Sequence, residues 1–97
     1  MTACDLTIAA DHPSFAGHFP GAPVLPGVVL LDEAIRALEL AAGGEPRCWR
    51  VGAVKFLRAV GPGEPLTLAR EQLAGGTIRF TILSGEQTVA TGALSPT

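Results

Sequence analysis

The stretch His12-Pro13-Ser14-Phe15-Ala16-Gly17-His18-Phe19-Pro20-Gly21-Ala22-Pro23-Val24-Leu25-Pro26-Gly27 runs directly into Val28-Val29-Leu30-Leu31-Asp32-Glu33. Four prolines, three glycines and both histidines of the chain fall within it. Each proline fixes its own φ and biases the preceding residue toward extended geometry. A loop of that composition loses less entropy on folding and holds a side chain in one place. Proline is favoured in the first turn of a helix, so Pro26-Gly27 marks where the loop ends and an apolar helix begins. The segment therefore reads as a stiff loop that presents His18 and feeds a buried helix. An imidazole, the unpaired N–H groups of a helix start and a carboxylate further along the helix are the parts of an acid–base site.

The helix is expected from Val28 to about Ala42, with Gly43-Gly44 as its stop. Its charges are Asp32, Glu33, Arg36 and Glu39. At 100° per residue Asp32, Arg36 and Glu39 share a narrow arc, with Glu33 to one side. The rest of the wheel is apolar, the mark of a helix covered on most of its circumference. An i,i+4 pair between Asp32 and Arg36 is the ordinary surface explanation of that stripe. On an otherwise enclosed helix a carboxylate calls for a functional one. A chain of 97 residues forms one domain, here 1–97, and buries roughly 60–65% of its surface. Covering such a helix then takes both a sheet and a second chain.

Working outward, Cys4 to Ala10 alternates as a first strand, with Leu6 and Ile8 on one face. Beyond Pro46 the pattern is all strand. Cys48 to Val60 carries Trp49, Val51 and Ala53 in one phase and Val54 and Phe56 in the other, so a bulge is expected near Gly52. Pro62-Gly63-Glu64-Pro65 is a turn. Leu66 to Leu73 is a strand, and Gly75-Gly76 a tight hairpin connection. Thr77 to Leu83 places Ile78, Phe80 and Ile82 inward, and Gln87 to Leu94 closes the sheet. Ser95-Pro96-Thr97 reads as a loose tail. One strand, one helix and a run of antiparallel strands is the α+β class, with the helix on one face of the sheet.

Net charge is −2 and the isoelectric point near 5.5, which does not suggest a nucleic-acid partner. Arg47, Arg50, Lys55 and Arg58 nevertheless supply four of the seven basic residues within one stretch. They read either as solvated strand positions or as a shallow rim for an acidic partner or a phosphate. Cys4 and Cys48 follow no secretion signal, so reduced thiols and a cytoplasmic location are expected. No apolar run reaches the ~18 residues of a membrane span.

His18-Phe19-Pro20-Gly21-x-Pro23-x-x-Pro26-Gly27-Val28 resembles the motif of the FabZ-type 3-hydroxyacyl-acyl-carrier-protein dehydratases. Asp11-His12-Pro13-x-Phe15-Ala16-Gly17 ahead of it, and Val24-Leu25-Pro26-Gly27-Val28-Val29-x-Leu31-Asp32 behind, resemble the small ApeI-type thioester dehydratases more closely. Lys55-Phe56-Leu57-Arg58 and Pro62-Gly63 resemble that family's next strand and turn. The resemblance implies a hotdog fold, an antiparallel sheet wrapped around one long helix. Two protomers then pair edge to edge and form active sites at their interface. It implies His18 as the catalytic histidine, facing a helix carboxylate of the other chain at Asp32. FabZ-type enzymes usually carry Glu there, and Glu33 stands beside it. Arg36 replaces a frequent Gln and would favour the charged carboxylate.

Dehydration of a 3-hydroxyacyl thioester needs a base for the C2 proton, an acid for the C3 hydroxyl, and stabilisation of charge on the carbonyl. His18 suits the first role and Asp32 the second. Backbone N–H groups at Gly27 and Val28 suit the third. His12 reads as a structural brace. The substrate would arrive on the phosphopantetheine arm of acyl carrier protein, with no metal or redox cofactor, and the basic cluster would attract the acidic carrier. A homodimer or larger homo-oligomer is expected, or a hetero-oligomer with another hotdog subunit. A hotdog thioesterase and a non-catalytic partner subunit are the alternative readings.

Overall fold

The structure is a computed structural model and describes residues 2–6, 8, 27–41, 43, 44 and 48–97. Its elements are β1 (Thr2–Leu6), α1 (Gly27–Ala41), β2 (Trp49–Phe56), β3 (Leu66–Gln72), β4 (Ile78–Ser84) and β5 (Gln87–Pro96). The five strands form one antiparallel sheet in the order β1-β3-β4-β5-β2. One helix lies against one face, so the arrangement is the expected hotdog fold.

The helix forms where the apolar periodicity places it and ends at the two glycines. Gly43 and Gly44 take φ of 122° and 86°, a region where a side chain would be strained. The Gly44 amide donates to the Glu39 carbonyl at 2.8 Å and the Gly43 amide to Leu40 at 3.3 Å, which satisfies carbonyls that the helix end leaves open. Leu30, Ala34 and Leu38 form the buried stripe. It packs on Leu6, Leu66, Leu68, Ile78, Phe80, Ile82, Ala90 and Leu94 from the sheet. Burying each large side chain of this core stabilises the fold by about 1.5–3 kcal/mol. Strand β4 alternates as read, with Ile78, Phe80 and Ile82 buried and Arg79 exposed.

The helix is less enclosed than its sequence suggests. Val28 and Leu40, both on the arc of Asp32 and Arg36, are each 72% exposed. Five strands cover one side of a cylinder, and the opposite arc is left to something else. Edge strand β2 carries exposed Val51 and Phe56, followed by exposed Leu57. Val51 and Phe56 lie opposite Leu94 and Ala90, both buried, and cross-strand partners share a face. The exposed apolar residues of the β2 edge thus lie on the helix side of the sheet.

The phase change in β2 is a bulge, with the register shifting between Gly52 and Lys55. The strained residue is Ala53, at φ 51°, rather than Gly52. One extra residue there brings Trp49, Val51, Val54 and Phe56 to the helix side despite their two phases in sequence. The same bulge puts Arg50 and Lys55 together on the outer face, opposite Ser95 and Thr91.

Other expectations need correction. Strand β2 stops at Phe56, short of Val60, and β1 spans Thr2–Leu6, whereas the expected strand began at Cys4; its predicted continuation to Ala10 lies largely outside the described residues. Ser95 and Pro96 are not a tail: they belong to β5 and pair with Arg50 and Trp49. Thr97 donates from Oγ1 and from its amide to the Cys48 carbonyl, at 3.2 and 3.3 Å. The edge strand thereby gains partners that the polar C-terminal residues did not advertise. Gly75-Gly76 does close the β3–β4 hairpin, within a short 3-10 turn.

Gly92 is buried in β5 under the Phe80 ring. A Cβ added there would lie 2.6 Å from Phe80 Cζ and 3.0 Å from Val54 Cγ2. Gly92→Ala is expected to cost about 1–3 kcal/mol by overpacking, measured by urea denaturation, with Phe80→Leu in the same chain recovering part of the loss. Unchanged stability of Gly92→Ala would contradict this packing.

Candidate active site at the helix N-terminus

A cavity of about 330 Å³ opens beside the first turn of α1, lined by Gly27, Leu30, Phe56, Leu57, Arg58, Ala59 and Val60. Gly27 is there because the Phe56 ring lies over it: a Cβ would meet three ring carbons at 3.2 Å. Among the first residues of a helix the N–H groups have no intrahelical acceptor. Gly27 and Val28 sit in that first turn, and the positive end of the helix dipole lies behind them. The cavity is thus an apolar hollow at a helix start, able to hold an apolar group against Leu30 and Val60.

The structure separates the sequence-predicted residues. Gly27 lines the cavity, and Val28 follows it in the same turn. Asp32 is exposed in the single chain and Glu33 half-buried, and neither lines the cavity. Among the described residues the ion pairs join Arg58 to Glu64 and Arg79 to Glu71, and none joins Arg36 to Asp32. Glu39 belongs to the same arc in sequence but is half-buried, and its Oε2 accepts a 3.2 Å hydrogen bond from Trp49 Nε1. His18, His12 and Arg47 lie outside the described residues.

The basic cluster also separates. Arg50 and Lys55 are exposed on the outer face. Arg58 turns inward and is spent on protein partners. Its Nε donates to Gln87 Oε1 at 2.8 Å, its Nη1 to the Ala59 carbonyl at 2.8 Å, and its Nη2 to Glu64 Oε2. Glu64 also accepts from Ser84 Oγ at 2.6 Å and from the Gly61 amide at 3.1 Å. Sequence reading missed Glu64. The available signal was its place across the Pro62-Gly63 turn from Arg58, where a short connection brings opposite charges together.

The Arg58 hydrogen bond, with the Ser84 and Gly61 donors, lowers the Glu64 pKa from 4.5 to about 2, against the opposing effect of burial. A folded-state pKa below the unfolded one adds stability that is complete above the unfolded value and lost as pH falls through the folded one. Glu64→Gln is expected to lower stability at pH 7 by about 1–3 kcal/mol. The gap from the unaltered protein should close as pH falls from about 4.5 toward 2, followed by thermal unfolding across that range. A gap independent of pH would contradict the assignment.

The family model for ApeI-like proteins, described as ApeI dehydratase, matches residues 1–93. FabZ of Chlamydia trachomatis serovar L2, a 3-hydroxyacyl-acyl-carrier-protein dehydratase, is 35% identical over 101 residues. That match covers 91% of this chain and 66% of the relative, so the chain spans slightly less than two thirds of that protein's length. The dehydratase heterocomplex ApeI:P from Xenorhabdus doucetiae contains a chain of similar structure, with TM-score 0.68 and 26% identity, covering 96% of this chain and 83% of that one. A variant of the fluoroacetyl-CoA-specific thioesterase FlK is equally similar in shape, TM-score 0.68, at 19% identity and with 97% and 84% covered; it shares the fold. With nearly its whole length matched, the chain belongs to the ApeI-like dehydratase family of hotdog proteins.

Proposed function

We propose that this protein dehydrates 3-hydroxyacyl thioesters carried on acyl carrier protein to trans-2-enoyl thioesters, in fatty acid or specialised lipid synthesis. The observation that carries the reading is the cavity at the start of α1, lined by Gly27, in a chain of the ApeI-like family. The FabZ relatives act on substrates of that class by name, and this chain retains the histidine motif. His18 takes the C2 proton. Asp32 gives a proton to the C3 hydroxyl, which leaves as water while the C2–C3 double bond forms. Gly27 and Val28 amides hold the carbonyl oxygen as charge builds on it. Glu33 is the neighbouring carboxylate against which the role of Asp32 is tested.

The site needs a second subunit. Asp32 shares its helix arc with exposed Val28 and Leu40, and the β2 edge beside it exposes Val51, Phe56 and Leu57. A second hotdog subunit pairing along β2 covers these side chains and encloses the carboxylate. The ApeI:P neighbour is itself a dehydratase heterocomplex, which supports a copy of this chain or a related subunit in that place.

His18→Ala should lower water loss from a carrier-bound 3-hydroxyacyl substrate by at least about 100-fold, read by intact-mass spectrometry, while the protein stays folded. Persistent turnover would sink the mechanism, and release of free acid would point to a thioesterase. Arg50 and Lys55 share the outer face and remain the candidate carrier contacts, with Arg58 removed from that set. Arg50→Glu with Lys55→Glu should raise KM for the carrier-bound substrate about tenfold at low salt, with less effect at high salt and on a pantetheine thioester. Equal losses on both substrates would place the defect elsewhere.

A further inference from the structure

The cavity wall at Leu57–Val60 follows the last residue of β2 and is irregular backbone. Its sheet-like tether is the Leu57 amide donating to the Val89 carbonyl at 2.8 Å. Arg58 supplies the remainder. From the middle of the wall its guanidinium reaches a wall carbonyl at Ala59, the carboxylate of Glu64 beyond the Pro62-Gly63 turn, and Gln87 at the start of β5. Ser84, at the end of β4, holds the other side of Glu64. The Arg58 and Glu64 side chains are only 29% and 18% exposed, so water competes little for these bonds.

We propose, resting on the dehydratase reading, that Arg58 is a positioning residue for substrate selection. Locked by Glu64 and Gln87, it fixes the wall Leu57–Val60 and so sets which acyl groups the cavity accepts. It acts through the neighbouring apolar residues and touches no reacting atom. A planar fork with donors in three directions meets these three acceptors together; a lysine ammonium at the end of a flexible stem does not hold the same plane. Gly27 and Leu30 line the cavity from α1, with the Phe56 ring against Gly27. Movement of the Arg58 wall is therefore movement of the cavity's width.

The test compares the unaltered protein with Glu64→Gln, Arg58→Lys and Gln87→Ala on short- and long-chain 3-hydroxyacyl carrier substrates, each checked for folding by thermal unfolding. Glu64→Gln is expected to raise KM about tenfold with kcat within about threefold and to change the ratio of short- to long-chain kcat/KM. Arg58→Lys should fall between it and the unaltered protein. A folded Glu64→Gln protein with unchanged KM and chain-length ratio, or with kcat alone reduced, overturns the proposal. If Glu64→Gln does not fold, Gln87→Ala decides, because it removes one exposed partner and leaves the ion pair: an altered chain-length ratio supports the role and an unaltered one overturns it. Absence of water loss by the unaltered protein would sink the dehydratase reading instead. Calorimetric binding of a saturated acyl-pantetheine then reads the wall directly, with weaker binding in Glu64→Gln supporting the role and equal binding overturning it.

Discussion

A helix that is apolar around most of its circumference has to be enclosed, and a five-stranded sheet encloses one side of it. The rest of this structure follows from that constraint. Leu30, Ala34 and Leu38 face the sheet and are lost from water, whereas Val28 and Leu40 remain open at the two ends of the opposite arc. The arc left open is the one that carries Asp32. A carboxylate placed in the core stripe would pay a large desolvation penalty with no partner. Placed on the open arc, it stays hydrated in the single chain.

The sheet meets the helix closely because two positions give way. Gly92 has no side chain, so the Phe80 ring and Val54 occupy its space. The β2 bulge inserts one residue, so four apolar side chains of mixed phase reach the same face. A regular β2 in the register of Trp49 and Val51 would send Val54 and Phe56 to the outer face, and the ring that lies over Gly27 would be absent. Ala53 carries the strain, a left-handed backbone that costs an alanine about 1 kcal/mol. The Phe56 side of the candidate site thus depends on a distortion at Ala53, three residues earlier in the chain.

Most of the fold was legible because its signals are local. The apolar run ended by Gly43-Gly44, the clean alternation of Ile78, Phe80 and Ile82, and the phase break in β2 each fix an element from its own residues. What escaped depends on partners distant in sequence. Pro96 and Thr97 look like a polar tail until Trp49 and Cys48 lie beside them. Glu39 shares an arc with Asp32 and Arg36, and only the position of Trp49 tells it apart. The site divided in the same way. The place of Gly27 at the start of the helix was legible from the proline-rich entry to it, whereas nothing in the residues around Asp32 told that it stands outside the cavity lining.

The basic residues show why a cluster in sequence is not a charge patch in space. Arg50 and Lys55 reach one face only because of the bulge between them. Arg58, three residues beyond Lys55, has left the strand, and its three directed donors are taken by Glu64, Gln87 and its neighbour's carbonyl. A guanidinium paired to a carboxylate at short range presents little field to a partner a Debye length away, about 10 Å at 0.1 M salt. Long-range attraction is thus left to exposed cations such as Arg50 and Lys55, and short-range rigidity to the half-buried Arg58.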